Sequence, residues 1–183
     1  MKIGIAGVGG IGSNVAMHLV RSGLNDLKFG DFDKIEESNL NRQFYFKDQI
    51  GEYKAQALYK NLTKIAQGNY QFEIIKFDRD NIKEFFKDCD IIVEGFDKKE
   101  FKQLFVEELY NTKKLLITVS GIGGIDTSQV QIIKKMKNLY LVGDQYSDIS
   151  TYKTYSHKVN LVAGKVVEII LGELDNEKEN RNS

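Results

Sequence analysis

Gly7, Gly9 and Gly12 stand in the spacing G-x-G-x-x-G, with Gly10 between the last two, and Ser13 follows directly. Glycines so spaced permit a tight turn and let backbone N–H groups approach phosphate oxygens, with the positive end of a following helix adding attraction. Asp31 lies 19 residues beyond Gly12. That is close to the offset at which a carboxylate accepts hydrogen bonds from a ribose. These two features alone fit NAD as well as any other nucleotide. The residues that follow shift the balance, because Asn39, Arg42 and Lys54 gather polar and cationic groups beyond the second strand, enough to neutralise more phosphate than a dinucleotide carries. Asp97, closing the run Glu94-Gly95-Phe96-Asp97, suits a Mg2+ that bridges phosphate oxygens. Together these groups suit ATP chemistry.

The elements that must position them are short and alternating. Residues 2–6 predict a buried strand, followed by the glycine turn and an amphipathic helix through Val15, Met17, Leu19 and Val20. Further strands are expected at 27–30, 72–77, 90–94 and 114–119, with helices at 54–66, 81–87 and 99–110 between them. A second glycine cluster, Gly121-Ile122-Gly123-Gly124, precedes strands expected at 129–134 and 139–142. No helical run separates these two strands, so they are expected to be antiparallel or at an edge. A last helix spans about 157–171. The pattern is Rossmann-like: a doubly wound α/β domain with a mostly parallel sheet and antiparallel strands near its C-terminal end. One domain over residues 1–172 is expected, then a polar, disordered tail at 173–183.

Composition removes several other classes. Lysine plus arginine and aspartate plus glutamate are 26 each, a net charge of zero, so neither nucleic acid nor an anionic membrane is an expected partner. Cys89 is the only cysteine and there are two histidines, which excludes a disulfide within the chain and the usual structural zinc sets. The apolar stretch at the start is short and broken by glycines, unlike a signal peptide, and a cytoplasmic location is expected.

The chain resembles the ThiF/MoeB/HesA family of sulfur-carrier-protein adenylyltransferases, which are related to the ubiquitin-activating enzymes. The resemblance rests on Gly7 to Ser13, on Asp31-Phe32-Asp33 with Ser38-Asn39-Leu40-Asn41-Arg42-Gln43, on Gly51 and Lys54, and on Asp97. The segment Leu141-Val142-Gly143-Asp144 and the short length point to the compact branch linked to thiamine biosynthesis. The resemblance implies adenylation of the C-terminal glycine carboxylate of a small ubiquitin-like carrier ending in Gly-Gly, with ATP and Mg2+, by a homodimer. Asp31 would then bind ribose. Asp33, Asn39, Arg42, Gln43 and Lys54 would surround the phosphates, Asp97 would hold Mg2+, and the turn of Gly7, Gly9, Gly10 and Gly12 would lie under the nucleotide. The zinc cysteines and the downstream catalytic cysteine of many family members have no counterpart here.

Two other functions keep part of the pattern: an NAD-dependent oxidoreductase, which leaves Arg42, Lys54 and Asp97 without a purpose, and a non-catalytic module that binds a carrier. Individual residues also have plainer roles open to them. Arg42 can pair with Glu36 or Glu37 at the surface, Lys54 can be a solvated helix lysine, and Asp33 or Asp97 can stabilise a turn. Cys89 reads as a small apolar residue before a strand, with a persulfide or redox role as the alternative. His18 and His157 read as packing or surface residues. Tyr146, Tyr152 and Tyr155 cover either a site or a small core, and Lys134, Lys135 and Lys137 guard an edge strand or meet an acidic partner.

Overall fold

The structure is a computed structural model that describes residues 1–182, of which 177, 178 and 180–182 by their backbone alone. Seven strands form one sheet: β1 (Ile3–Ala6), β2 (Asp26–Gly30), β3 (Asn69–Glu73), β4 (Ile91–Glu94), β5 (Leu115–Val119), β6 (Gln131–Met136) and β7 (Leu139–Gly143). Their order across the sheet is β3-β2-β1-β4-β5-β7-β6. Every neighbouring pair is parallel except β6 with β7. The expectation of an antiparallel C-terminal end therefore holds for β6, whereas β7 runs parallel to β5. A turn at Lys137 and Asn138 sends β6 down the edge and brings β7 back inside it.

Among the described residues, five α-helices cover the two faces: α1 (Gly10–Arg21), α2 (Lys54–Thr63), α3 (Ile82–Phe85), α4 (Lys99–Leu109) and α5 (Ser156–Asn182). Val15 and Leu19 of α1, Leu58 of α2 and Val159, Val162 and Val166 of α5 share one core with Ile3, Ile5 and Val93 of the central strands. Ile82, Phe85, Phe105 and Leu109 of α3 and α4 build the other with Ala6, Ile92 and Leu116. Burial on both faces explains why the central strands read as continuous apolar runs.

Two boundaries differ from the sequence reading. The third strand occupies Asn69–Glu73, about three residues early, because its register is set by pairing with β2 from Asp26↔Asn69 to Gly30↔Glu73. The apolar residues that suggested 72–77 pack elsewhere: Phe77 joins a ring cluster with Phe85, Phe86 and Phe96, and Ile75 and Phe77 close over Gly30. At the other end, α5 continues through residues 173–182, where the polar composition pointed to disorder. Gly172 does not end it, since the segment after it is rich in good helix formers and Glu173 and Leu174 are half-buried. Residue 183 lies outside the described residues.

The chain reverses its winding direction between β1 and β4, so a crevice opens at the carboxyl ends of these neighbours. Two glycines make the close approach there possible. Gly7 adopts φ +85°, and a Cβ at Gly12 would lie 2.0 Å from the Gly7 carbonyl oxygen. Gly12→Ala is therefore expected to destabilise the protein by about 2–3 kcal/mol. In thermal denaturation this should appear as a midpoint lower by about 4–12 °C.

Candidate nucleotide site

A cleft of about 770 Å³ occupies the switch point. Asp31, directly after β2, is the buried centre of its first wall. Its Oδ2 accepts the Val8 N–H at 2.8 Å and its Oδ1 accepts the Asp33 N–H at 2.8 Å, so one carboxylate joins the glycine turn to the Asp-x-Asp loop. Burial raises the Asp31 carboxyl above its ordinary pKa, an effect that Lys54 and the two backbone donors oppose. The turn is held from its other side as well. The buried Tyr45 hydroxyl donates to the Val8 carbonyl at 2.7 Å, and the Ser13 hydroxyl donates to Gly9 O at 2.6 Å while accepting the Phe44 N–H at 3.0 Å. Asn14 donates to both Gly10 O and Arg42 O at 2.7 Å.

The cationic residues lie beside this turn. Lys54, the first residue of α2, is 7% exposed and pairs with Asp33 at 3.0 Å, so it is not a solvated helix lysine. Arg42 donates to Ser38 O at 2.9 Å and to Asn41 Oδ1 at 2.8 Å. These contacts replace the surface pairing with Glu36 or Glu37. Desolvation lowers the Arg42 pKa and the nearby charge of Asp97 opposes the change, which places Asp97 within electrostatic reach of the guanidinium. Asp97 is exposed and lines the same cleft as Gly7, Gly9, Gly10, Asp31, Arg42 and Lys54.

Gln43 and Asn39 part company. Gln43 lines the cleft and is 8% exposed, yet its side-chain oxygen has no hydrogen-bond partner. A buried acceptor left open beside a glycine turn fits a ligand donor. Asn39 is absent from the cleft wall: its Oδ1 accepts the Glu36 N–H at 3.0 Å and closes the short helical turn Glu37–Asn39. It shapes the loop that carries Arg42 and touches the site through it.

Two ion pairs that the sequence reading missed brace the cleft. Glu94, the fully buried last residue of β4, meets Lys102 of α4 at 2.9 Å. Asp144 after β7 meets Lys158 of α5 at 2.6 Å, with both side chains almost fully buried. Lys158 also donates to Gly123 O at 2.6 Å, and Asp144 Oδ1 accepts the N–H groups of Tyr146 and Ser147 at 3.0 and 2.9 Å. Burial on its own would raise the Asp144 carboxyl; Lys158 and Ser147 hold it below its ordinary value. This network explains the second glycine cluster, since a Cβ at Gly121 would lie 2.0 Å from Asp144 Oδ1. It also fixes a loop whose Gln145 takes φ +69° at the cleft wall. A lysine inside the apolar repeat of the last helix was the available signal for it.

The remaining candidates divide between the cleft wall and the rest of the molecule. Tyr146 and Tyr152 line the cleft, while Tyr155, His18 and His157 do not; the His157 ring bonds Ile125 O at 2.8 Å. Cys89 precedes β4 at the opposite, amino end of the sheet, and burial pushes its thiol up to about 12. That suppresses the thiolate a redox or persulfide role needs. Lys134 and Lys135 lie on β6, the edge strand, and Lys137 in the turn after it. Among the described residues, no cluster of three or more His, Cys, Asp or Glu side chains suits a metal, and no helix is long and apolar enough to cross a membrane.

The glycine turn, the buried acid after β2 and the crevice between β1 and β4 place the chain among doubly wound α/β domains that bind ligands at the switch point. It belongs to the ThiF family, whose profile matches residues 1–174. The ubiquitin-like modifier-activating enzyme 5 of Aedes aegypti is 38% identical over 85 residues, covering 43% of this chain and 21% of that protein. SUMO-activating enzyme subunit 2 of Dictyostelium discoideum is 34% identical over 143 residues, 74% of this chain and 21% of that protein. The chain thus spans about a fifth of the length of these relatives. The E. coli tRNA N6-threonylcarbamoyladenosine dehydratase TcdA, solved in complex with AMP, superposes with a TM-score of 0.87 at 18% identity, covering 97% of this chain and 87% of that one.

Because the Asp144–Lys158 pair is buried, removing one partner leaves an uncompensated charge. Lys158→Met is expected to cost about 3–5 kcal/mol at neutral pH, read by urea denaturation. The depressed Asp144 pKa contributes stability above the unfolded carboxylate value of ~3.9 that is lost as pH falls through the lower folded value. The stability gap between wild type and Asp144→Asn should accordingly be widest at neutral pH and close below about pH 4.

Proposed function

We propose that the protein is an ATP-dependent adenylyltransferase acting on the C-terminal glycine carboxylate of a small ubiquitin-like carrier that ends in Gly-Gly. The observation that carries this reading is the convergence of Arg42, Lys54 and Asp97 on the cleft beside the glycine turn and buried Asp31. An NAD site has no use for all three. The carrier carboxylate attacks the α-phosphorus, a C–O–P linkage forms, the bond to the β-phosphate breaks, and pyrophosphate leaves. Such in-line transfer needs positioning and charge neutralisation and requires no protein nucleophile, in keeping with a cleft that has no cysteine on its wall.

In this reading Asp31 accepts from the ribose, Gly7, Gly9, Gly10 and Gly12 lie under the nucleotide, and Arg42 and Lys54 bind the phosphates. Lys54 is shared with Asp33, which keeps its ammonium at the cleft wall. Gln43 offers its open oxygen to a ligand donor, and Asn39 holds the Arg42 loop. Bound Mg2+ would neutralise phosphate charge. Asp97, on the cleft wall, would hold that ion by its carboxylate, in keeping with the few protein carboxylates that nucleotide-bound Mg2+ takes. Relatives named for activating ubiquitin-like modifiers support the choice of partner. The thiamine-type carrier and the homodimer are the narrower parts of the proposal, and they rest on the family resemblance.

Saturating Mg-ATP at about 100 times Kd should add ~2.7 kcal/mol, raising the thermal midpoint by about 5–11 °C. The shift should shrink in EDTA and in Asp97→Ala. With a Gly-Gly-terminated carrier present, ATP–pyrophosphate exchange should fall by about 100-fold or more in Arg42→Ala. A midpoint shift with NAD and none with Mg-ATP would sink this reading in favour of an oxidoreductase, and Mg-ATP binding with carrier binding but no exchange would leave a non-catalytic module.

A further inference from the structure

Asp97 itself stands on an exposed turn, and a metal ligand needs a fixed position to be effective. The source of that rigidity is the residue that ends β4. Glu94 is fully buried, an expensive place for a carboxylate unless every oxygen is satisfied. Its Oε1 accepts the Phe96 N–H at 2.6 Å and the Lys102 ammonium at 2.9 Å. Its Oε2 accepts Lys102 at 3.0 Å, the Thr118 hydroxyl at 2.6 Å and the Val119 N–H at 3.4 Å. Lys102 in turn donates to Val119 O at 2.9 Å.

One carboxylate thus clamps the turn carrying Asp97, the middle of α4 and the end of β5, three segments with residues on the cleft wall. The turn is pressed against the nucleotide side too: Gly95 N–H donates to Ala6 O at 2.8 Å, and a Cβ at Gly95 would lie 2.5 Å from Gly7 O. A small shift of Gly95 would therefore be felt by both Asp97 and the glycine turn.

We propose that Glu94, through its pairing with Lys102, is the positioning residue that sets Asp97 for a divalent cation and its nucleotide. This rests on the adenylation reading for the identity of the ligand, though the clamping of the turn stands apart from it. A purely structural ion pair and a positioning pair behave differently when both charges are removed. Replacing a buried pair by uncharged side chains of similar volume largely preserves stability, so Glu94→Gln combined with Lys102→Met should regain most of the midpoint that Glu94→Gln alone loses. Position is not regained in this way.

The experiment compares wild type, Glu94→Gln and the double variant by thermal midpoint, by the Mg2+ concentration giving half of the ATP-induced midpoint shift, and by amide hydrogen exchange at Phe96 and Asp97 relative to β1. We expect both variants to need about 10- to 100-fold more Mg2+, the range typical of lost outer-shell support. Their Phe96 and Asp97 amides should exchange faster while β1 is unchanged, even where the midpoint recovers. A double variant with wild-type Mg2+ dependence and wild-type exchange at Phe96 and Asp97 overturns the proposal, leaving a structural pair. If wild type shows no response to Mg-ATP, the adenylation reading fails instead, and the exchange data alone decide: selective loosening of 96–97 supports the clamp, and unchanged or uniformly faster exchange overturns it. Should the double variant fail to recover its fold, Glu94→Gln measured well below its own midpoint makes the same comparison.

Discussion

A single buried carboxylate, Asp31, holds the architecture of the cleft. With one oxygen on the Val8 N–H and the other on the Asp33 N–H, it fixes the glycine turn against the loop that brings Lys54 and Asp33 together. The second lone pair on each oxygen stays available. Burial makes the ionised form costly, and backbone donors with a nearby lysine offset that cost. A residue tied so firmly from one side presents a defined edge to the other, the preorganisation that the proposed ribose contact would use.

Around that centre the protein repeats one device. Where β4 and β7 end, an acid directly at or after the strand terminus is buried against a lysine from a neighbouring helix, Glu94 with Lys102 and Asp144 with Lys158. Each acid also collects backbone N–H groups from the turn that follows it. Buried ion pairs contribute little net stability compared with apolar packing; here they specify turn geometry at the cleft rim. Lys54 with Asp33 differs in its acid, because Asp33 is exposed whereas Glu94 and Asp144 are buried. Lys54 and Lys102 both line the cleft, and Lys158 does not.

The candidate site was legible in the sequence to the extent that its parts are local. The strand, glycine turn, helix and following strand occupy residues 3–30 in unbroken succession, and each is dictated by neighbours a few positions away. Arg42, Lys54 and Asp97 were marked by residue type and offset, and the fold brings them to one cleft. Asn39 carried the same signal yet caps the turn at Glu36, because a short amide beside a loop backbone can satisfy that backbone as readily as face a ligand. Type and spacing do not distinguish the two uses.

By itself, then, the sequence determined the α/β alternation, the switch-point crevice and its principal charged residues, since apolar periodicity, glycine spacing and motif offsets act over short separations. Tertiary structure alone decided the register of β3, the parallel insertion of β7 inside β6, and which acids are buried against a lysine. In the sequence Lys102 looks like an ordinary helix lysine and Lys158 is marked only by its place in an apolar repeat, 8 and 14 residues from their partners. Their roles arise only when strand ends and helices from both halves of the chain meet: Lys158 is sealed from water beside Asp144, and Lys102 reaches from the cleft wall to the buried Glu94. Exclusion of water from the acid turns a weak surface attraction into a directional constraint.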